Sequence, residues 1–290
     1  MSVIILAKQN KHEYETTKLI KTFLEKGIST KVCYFEKFDI IINDGVFYDG
    51  EILELPKIVL VRVGAGIGRK ELAVVRYFEL SNVKCINSSE SINIVQDKFH
   101  SGEILGKAGI AVPNTMIVKH PITNILVTKH IGFPCIIKVI VGSFGEGVHL
   151  CNSLEDYNRF VNFVNIVYNA KILLVQEYIG DRPGEDIRVL VIGGKVLGAM
   201  KRTAPNGDFR ANITNGGTGE SYDITPEIAE IAINAANVLN LDIAGIDLLF
   251  DSRGFRVCEA NSNPGFSGFE KYCNTDVAGA IVDFIESKLN

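Results

Sequence analysis

No two cysteines stand as a Cys-x-x-Cys pair. The six cysteines lie at positions 33, 85, 135, 151, 258 and 273, mostly inside apolar runs. That spacing argues against a disulfide framework and a thiolate zinc site, and for reduced thiols in a protein core. The five histidines also lack metal-ligand spacing. No apolar run reaches the roughly 18 residues of a membrane helix. The opening run Val3 to Ala7 is too short for a signal-peptide core, and no basic stretch precedes it. Neither sign of charge dominates: 30 Lys and Arg against 34 Asp and Glu leave a net charge of −4. No basic field therefore argues for nucleic acid. Internal repeats and low-complexity tracts are absent, as is a Gly-Lys-Ser/Thr phosphate loop. Gly142-Ser143-Phe144-Gly145 has the wrong spacing for a nucleophile elbow. Gly64, Gly66 and Gly68 imitate a dinucleotide fingerprint, but Arg69 takes the third glycine's place and no acid follows at the required distance. These absences leave a cytoplasmic enzyme or binding protein, with neither membrane nor nucleic acid as partner, as the expectation.

What is present is a globular composition, 47% hydrophobic and 22% charged over 290 residues, enough for two or three lobes. Residues 3–7, a helix over 12–26 stopped by Gly27, and a strand over 31–35 open the chain as a parallel α/β layer. A buried strand over 57–63, a helix over 70–82 and a short strand at 84–87 complete a first lobe, taken as residues 1–90. A single helix is expected over 91–110. From 115 to 179 the pattern is two-layer, with strands at 115–118, 134–141, 147–150 and 172–178 and a helix over 154–168; the central lobe is taken as residues 91–175. The third lobe, 176–290, begins with strands at 186–192 and 195–202 around Gly193-Gly194, a hairpin signal. A Gly/Asn-rich segment covers 205–221. A helix over 225–240 has Thr225 as N-cap and Pro226 as first residue. A hairpin over 243–261 and a helix over 275–288 follow. The fold class is α/β, with α+β lobes.

The hairpin carries the acids. With Ser252-Arg253-Gly254 as a three-residue loop, Asp251 faces Phe255, Leu249 faces Val257 and Asp247 faces Glu259. Opposed residues share a face, and Asn261, two past Glu259, lies on it too. Like charges opposite each other destabilise a hairpin, so either a cation with hard oxygen ligands compensates them, or the two acids lie on opposite, solvated faces.

Three further stretches can bind parts of a nucleotide or an anionic substrate. Lys138 interrupts an apolar strand, and lysine is seldom buried without an anionic partner. Gly142, Ser143, Gly145 and Gly147 follow it, either cradling phosphates with backbone N–H groups or forming a plain hairpin turn. The end of the apolar run 171–180, Gln176-Glu177-Tyr178-Ile179, is either an edge that pairs with adenine or an ordinary strand end. Arg188, Arg202 and Arg210, with Asn212 close behind, suit carboxylate or phosphate forks; the alternative is a solvated strand face.

In order along the chain, QDKFHSGEILGKAGIAVP, PCIIKVIVGSFGEGVHL, LLVQEYIGDRPGEDIRVLVIGGKVLGAMKRTAPNGDFRANITNGG, AGIDLLF and VCEANSNPGFSGFEKYCNTDVAG resemble the ATP-grasp superfamily, and within it the RimK-type α-L-glutamate ligases. The resemblance covers residues 57 to 290 and extends to the first 56. It implies an ATP-grasp fold behind an N-terminal pre-ATP-grasp α/β domain. It implies an acyl-phosphate mechanism in which ATP activates a carboxylate, small or peptidic, and glutamate supplies the amine. It further implies Lys98 and Lys138 on ATP phosphates, Gln176, Glu177, Tyr178 and Ile179 at adenine, and Asp186 near the ribose. Asp247, Glu259 and Asn261 would hold two Mg²⁺ (or Mn²⁺). Arg188, Arg202, Arg210 and Asn212 would orient substrate and stabilise the transferring phosphoryl group. A homo-oligomer is expected. Departures concern specificity: Asn263, Phe266 and Phe269 replace smaller residues of bacterial relatives. The segment FEKYCNTDVAG looks closer to animal enzymes that use a small-molecule acceptor. No basic residue precedes Gly216-Gly217, so Arg62 is a candidate partner for an anionic substrate, its alternative being a solvated strand end. Two rivals stand beside this reading: a ligase of the lysine-biosynthesis type acting on an acidic carrier protein, and a nucleotide-binding module without catalysis.

Overall fold

The computed structural model describes residues 2–9, 12–64, 66–119, 124–139, 148–168, 172–205, 208–211, 213 and 216–289. The chain opens with β1 (Val3–Ala7), α1 (Glu13–Glu25) and β2 (Thr30–Tyr34), then a small meander of β3 (Phe38–Ile41), β4 (Gly45–Tyr48) and β5 (Glu51–Ile52). β6 (Ile58–Arg62), α2 (Arg69–Leu80) and β7 (Lys84–Ile86) complete a four-stranded parallel sheet ordered β2-β1-β6-β7. β1 and β6 are buried at every position, because helices and a neighbouring lobe cover both faces. The meander lay outside the expectation: its strands are only two to four residues long.

The single helix expected over 91–110 is two helices, α3 (Ser89–Gln96) and α4 (Lys98–Lys107). Asp97 separates them, with extended φ/ψ of −90° and 100°. Its side chain accepts from the N–H groups of Phe99 and His100, 3.0 and 3.1 Å away, a helix N-cap. The apolar periodicity runs on through this break, which hides it in the sequence.

β8 (Thr115–Lys119), α5 (Asn124–His130), β9 (Cys135–Val139), β10 (Val148–Cys151), α6 (Leu154–Tyr168) and β11 (Ile172–Glu177) follow, with an antiparallel sheet ordered β10-β9-β11-β8. α5 was not expected. The last sheet, β14-β13-β12-β15-β16, is built from β12 (Glu185–Ile192), β13 (Lys195–Thr203), β14 (Thr218–Tyr222), β15 (Ile243–Asp251) and β16 (Gly254–Asn261). Gly193 and Gly194 join β12 to β13 with φ of 58° and 75°, the left-handed pair of a two-residue hairpin. β14 falls inside the segment read only as Gly/Asn-rich. α7 (Pro226–Val238) packs on this sheet, and Thr225 caps it by accepting from Ile228 N–H. α8 (Ser267–Cys273), also unexpected, precedes α9 (Val277–Leu289).

The first and last lobes share one apolar core. Ile5, Leu60 and Ile86 from the parallel sheet pack with Leu190, Phe266 and Ile281. Glu270 of α8 reinforces the junction, accepting from Tyr14 Oη at 2.8 Å and pairing with Lys18 at 2.6 Å, both on α1. Among the described residues no helix is long and apolar enough to cross a membrane.

Candidate active site

The β15–β16 hairpin is the centre of the site. Its tip is a two-residue turn, Ser252-Arg253, with Asp251 opposite Gly254; the expected three-residue loop is corrected on this point. Phe250 therefore faces Phe255, and Leu249 faces Arg256. A bulge between Asp247 and Leu248 then moves the register by one, so that Asp247 does face Glu259 and Gly245 faces Asn261. The extra residue assigned to the loop sits in β16 as Cys258. A bulge sets two neighbouring residues against one. Val257 and Ala260 are buried beneath the sheet, while Cys258 and Glu259 are both part-exposed.

Sheet adjacency then lines up the charges. Arg188 of β12 pairs with Asp247, and Asp186 pairs with Arg202 of β13. Arg188 clasps Asp247 with two bonds, Nε to Oδ1 at 2.7 Å and Nη2 to Oδ2 at 2.6 Å. Arg202 does the same to Asp186, both at 2.6 Å, and reaches Asp247 Oδ2 at 2.9 Å. Asp186, expected beside a ribose, thus has both oxygens engaged by Arg202. Asp247 and Arg202 are 3% exposed, and such forked pairs are short and strong. Lys98, placed by the Asp97 cap at the first turn of α4, donates to Glu259. Burial would raise the Glu259 carboxyl, but Lys98, with Lys138 and Arg188, outweighs it and holds the group well below the ordinary carboxylate range.

Across the cleft, Lys138 on β9 donates to Gln176 Oε1 at 2.7 Å, and Gln176 donates to Thr115 at 2.9 Å. Glu177 accepts from Arg256 Nη1 at 2.8 Å and Asn114 N–H at 3.1 Å, so it ties the central sheet to β16. Tyr178 and Ile179 follow, half-buried. A cavity of about 180 Å³ lies between the lobes, lined by Lys98, Asn114, Thr115, Gln176, Cys258 and Glu259 among others. Arg210 stands apart from Asp247 and pairs with its near neighbour Asp208 at 2.7 Å. Arg62 lies in the first lobe, against the loop after Asn261. Gly142, Ser143, Gly145, Gly147 and Asn212 lie outside the described residues.

Among the described residues no three His, Cys, Asp or Glu side chains gather as a metal site. The candidate set is two carboxylates and an amide, all hard oxygen donors suited to Mg²⁺. Asp247 and Glu259 hold Arg188, Arg202 and Lys98 on their oxygens, cations whose places a divalent ion would take. Asn261 donates its Nδ2 to Gly245 O at 3.3 Å, which leaves Oδ1 as the donor atom for a metal. The residues fit.

Asn87 is a residue that sequence reasoning passed over. It is 1% exposed. Its Nδ2 donates to Ile243 O and Ser262 O, both at 2.7 Å, and its Oδ1 accepts from Asp242 and Ile243 N–H at 2.7 and 3.0 Å. One amide of the first lobe thereby clamps the open end of the β15–β16 hairpin. Asn87→Ala strands four backbone groups and is expected to cost about 3 kcal/mol, since each buried unsatisfied group costs about 1–3 kcal/mol before relaxation. Urea melting measures this; a cost under about 1 kcal/mol would rule the clamp out.

Residues 1–92 match the RimK pre-ATP-grasp domain, and residues 95–285 match the RimK-like ATP-grasp domain. The chain belongs to the RimK-like ATP-grasp family. Over 296 residues it is 36% identical to a probable alpha-L-glutamate ligase of Aeromonas salmonicida, covering 99% of this chain and 97% of the relative. It is 39% identical over 294 residues to a protein of the same name from Coxiella burnetii, covering 99% and 95%. Its fold matches the ATP-grasp ligase PsnB, solved with a phosphomimetic variant of its minimal precursor, Mg and ADP, with a TM-score of 0.75 at 19% identity over 100% and 99% of the two chains. Within this RimK-like frame, the cleft lined by Lys98, Gln176 and Glu259 lies between the two ATP-grasp sheets.

Proposed function

We propose that this chain joins L-glutamate through its amino group to a carboxylate acceptor, by way of an acyl phosphate. It is an ATP-dependent, amide-forming ligase of the RimK-like family. The observation that carries the site assignment is the Asp247–Glu259 pair, opposed across a hairpin and ringed by Lys98, Arg188 and Arg202.

An oxygen of the acceptor carboxylate attacks the γ-phosphorus of ATP, and the bond to ADP breaks. The glutamate nitrogen then attacks the acyl carbon, phosphate departs with the C–O electron pair, and the amine gives up a proton. Transfer of this kind depends on positioning and charge neutralisation. Lys98 and Lys138 would hold phosphate oxygens from the two sides of the cleft. Asp247, Glu259 and Asn261 would hold two Mg²⁺ (or Mn²⁺), which when bound neutralise charge on the phosphates. Lys98 and Arg188, now on those carboxylates, would move to phosphate and substrate. Arg202, held by Asp186, and Arg210 would stabilise the transferring group. Gly142, Ser143, Gly145 and Gly147 would cover the phosphates with backbone N–H groups, and Gln176, Glu177, Tyr178 and Ile179 would seat adenine. Arg62 and Asn212 would contact substrate. Asp186 would sit near the ribose and would also orient Arg202, which forks onto both its oxygens. Residues 1–90, 91–175 and 176–290 would act as the three working lobes, in the cytoplasm.

The test supplies ATP, Mg²⁺ and a pool of acceptors, with each amino acid in turn, and reads ADP release and product mass. ADP release that depends on glutamate, with a product heavier by one glutamyl residue, is expected. ADP release indifferent to every amino acid would overturn the ligase reading.

A further inference from the structure

Arg62 ends β6 and is 2% exposed. A buried guanidinium normally has a carboxylate within reach, because an uncompensated buried charge is costly. Among the described residues no carboxylate lies within 4.0 Å of Arg62. Among the same residues its Nη2 makes one long bond, 3.4 Å, to Pro264 O, and its Nε has no partner. The guanidinium carbon sits 5.5 Å from the Phe266 ring centroid. Burial lowers the Arg62 pKa to about 10, with Glu15 the opposing influence, so the group stays charged at neutral pH. Glu15 is otherwise occupied: Oε1 accepts from Phe266 and Ser267 N–H at 3.2 and 3.4 Å, and Oε2 faces His12 at 3.8 Å.

Two further buried polar atoms without partners among the described residues lie in the same loop, Ser262 Oγ and Asn263 Oδ1. Gly64, two residues past Arg62, brings the chain against them. A Cβ built there would stand 3.1 Å from Asn263 Cβ and 3.5 Å from Ser262 Oγ. Buried polar groups are satisfied in the great majority of cases, so a local group of orphans calls for an absent partner. The place is apt in two ways. It lies beyond the carboxyl end of a parallel strand, where open α/β sheets bind ligands. It also follows directly on Asn261, the last of the candidate metal ligands.

We infer that Arg62, Ser262 and Asn263 form the seat of a substrate carboxylate that is not the one activated by ATP. Arg62 supplies two N–H donors and Ser262 a hydroxyl donor to the carboxylate. The Asn263 oxygen accepts from an N–H or O–H group beside it. This rests on the ligase reading and adds that at least one substrate must carry a second, unreacted carboxylate. The carboxylate belongs either to the amino acid or to the acceptor.

The experiment compares the full chain with Arg62→Met and Arg62→Lys. One readout is the thermal shift produced by L-glutamate, and by a dicarboxylic and a monocarboxylic acceptor, with no turnover required. The other is KM and kcat with L-glutamate, L-glutamine and 4-aminobutyrate, which remove the side-chain or the α-carboxylate in turn. Arg62→Met is expected to raise KM about 10²-fold for the substrate that owns the carboxylate, with a far smaller change in kcat. Arg62→Lys restores part of that loss. The analogue lacking the carboxylate is equally poor with both proteins, which names the source. The ligand-free Arg62→Met protein should melt no lower than the parent, because an uncompensated buried cation is gone, and its shift with ligand should vanish. Unchanged KM for every substrate, or a ligand shift equal to the parent's, overturns the inference while leaving the ligase reading intact. A parent that makes no amide but shows a shift dependent on Arg62 overturns the ligase reading and keeps the seat.

Discussion

Glu259→Ala is expected to lower turnover by about 10³-fold or more, with circular dichroism unchanged. Glu259 supplies one of only two carboxylates in the candidate metal set, and it faces the other directly. Its removal halves the anionic charge available to a divalent cation and leaves Lys98 without its partner. The fold should survive, because Glu259 points into the cleft while Val257 and Ala260 on either side supply the buried contacts of β16. Glu259→Gln keeps the shape and removes only the charge, so a comparable loss is expected. Direct binding of Mn²⁺ with ADP, followed by electron paramagnetic resonance, separates lost metal from lost geometry. Near-normal turnover in either variant would dismiss the metal assignment.

Arg202→Ala should be the most destabilising single change in the site, costing about 3–5 kcal/mol by urea melting. Arg202 forks onto Asp186 and touches Asp247, and both it and Asp247 are 3% exposed. Without it, Asp186 remains half-buried without its bidentate partner, and Asp247 keeps Arg188 alone. Burial already pushes the Asp186 carboxyl above its ordinary range against the pull of Arg202. Loss of Arg202 would move it further up. Replacing both members, as Arg202→Met with Asp186→Leu, removes the unpaired charge and should return much of the stability but none of the activity. A single variant within about 1 kcal/mol of the parent would mean that the pair is not a structural element.

The hairpin shows how far short-range reasoning reaches. The opposition of Asp247 and Glu259 came from counting a three-residue loop, yet the loop has two residues and the third is the bulged Cys258. The count succeeds because a bulge and a longer loop each add one residue to the same side, and sequence alone does not tell them apart. The break at Asp97 is a similar case. Apolar periodicity is continuous across it, and only the side chain's bonds to Phe99 and His100 show the cap that directs Lys98 to Glu259. Of the arginines, the sequence supports three in one region. It does not say that Arg188 and Arg202 converge on Asp247 while Arg210 takes Asp208.

By itself, then, the sequence determined the kinds of element, the parallel opening layer, the turn at Gly193-Gly194, the helix start at Thr225-Pro226, and the inventory of charged groups. These follow from side-chain periodicity, glycine backbone freedom and capping, which act within a few residues. Only the tertiary structure decided the partners. Asn87 reaches Ser262, Arg256 reaches Glu177, and Arg62 arrives beside Pro264 with no counter-ion among the described residues. Such pairings join residues that are distant in sequence. Their energies depend on burial and on which neighbour is nearest in space, and neither exists until the sheets have packed.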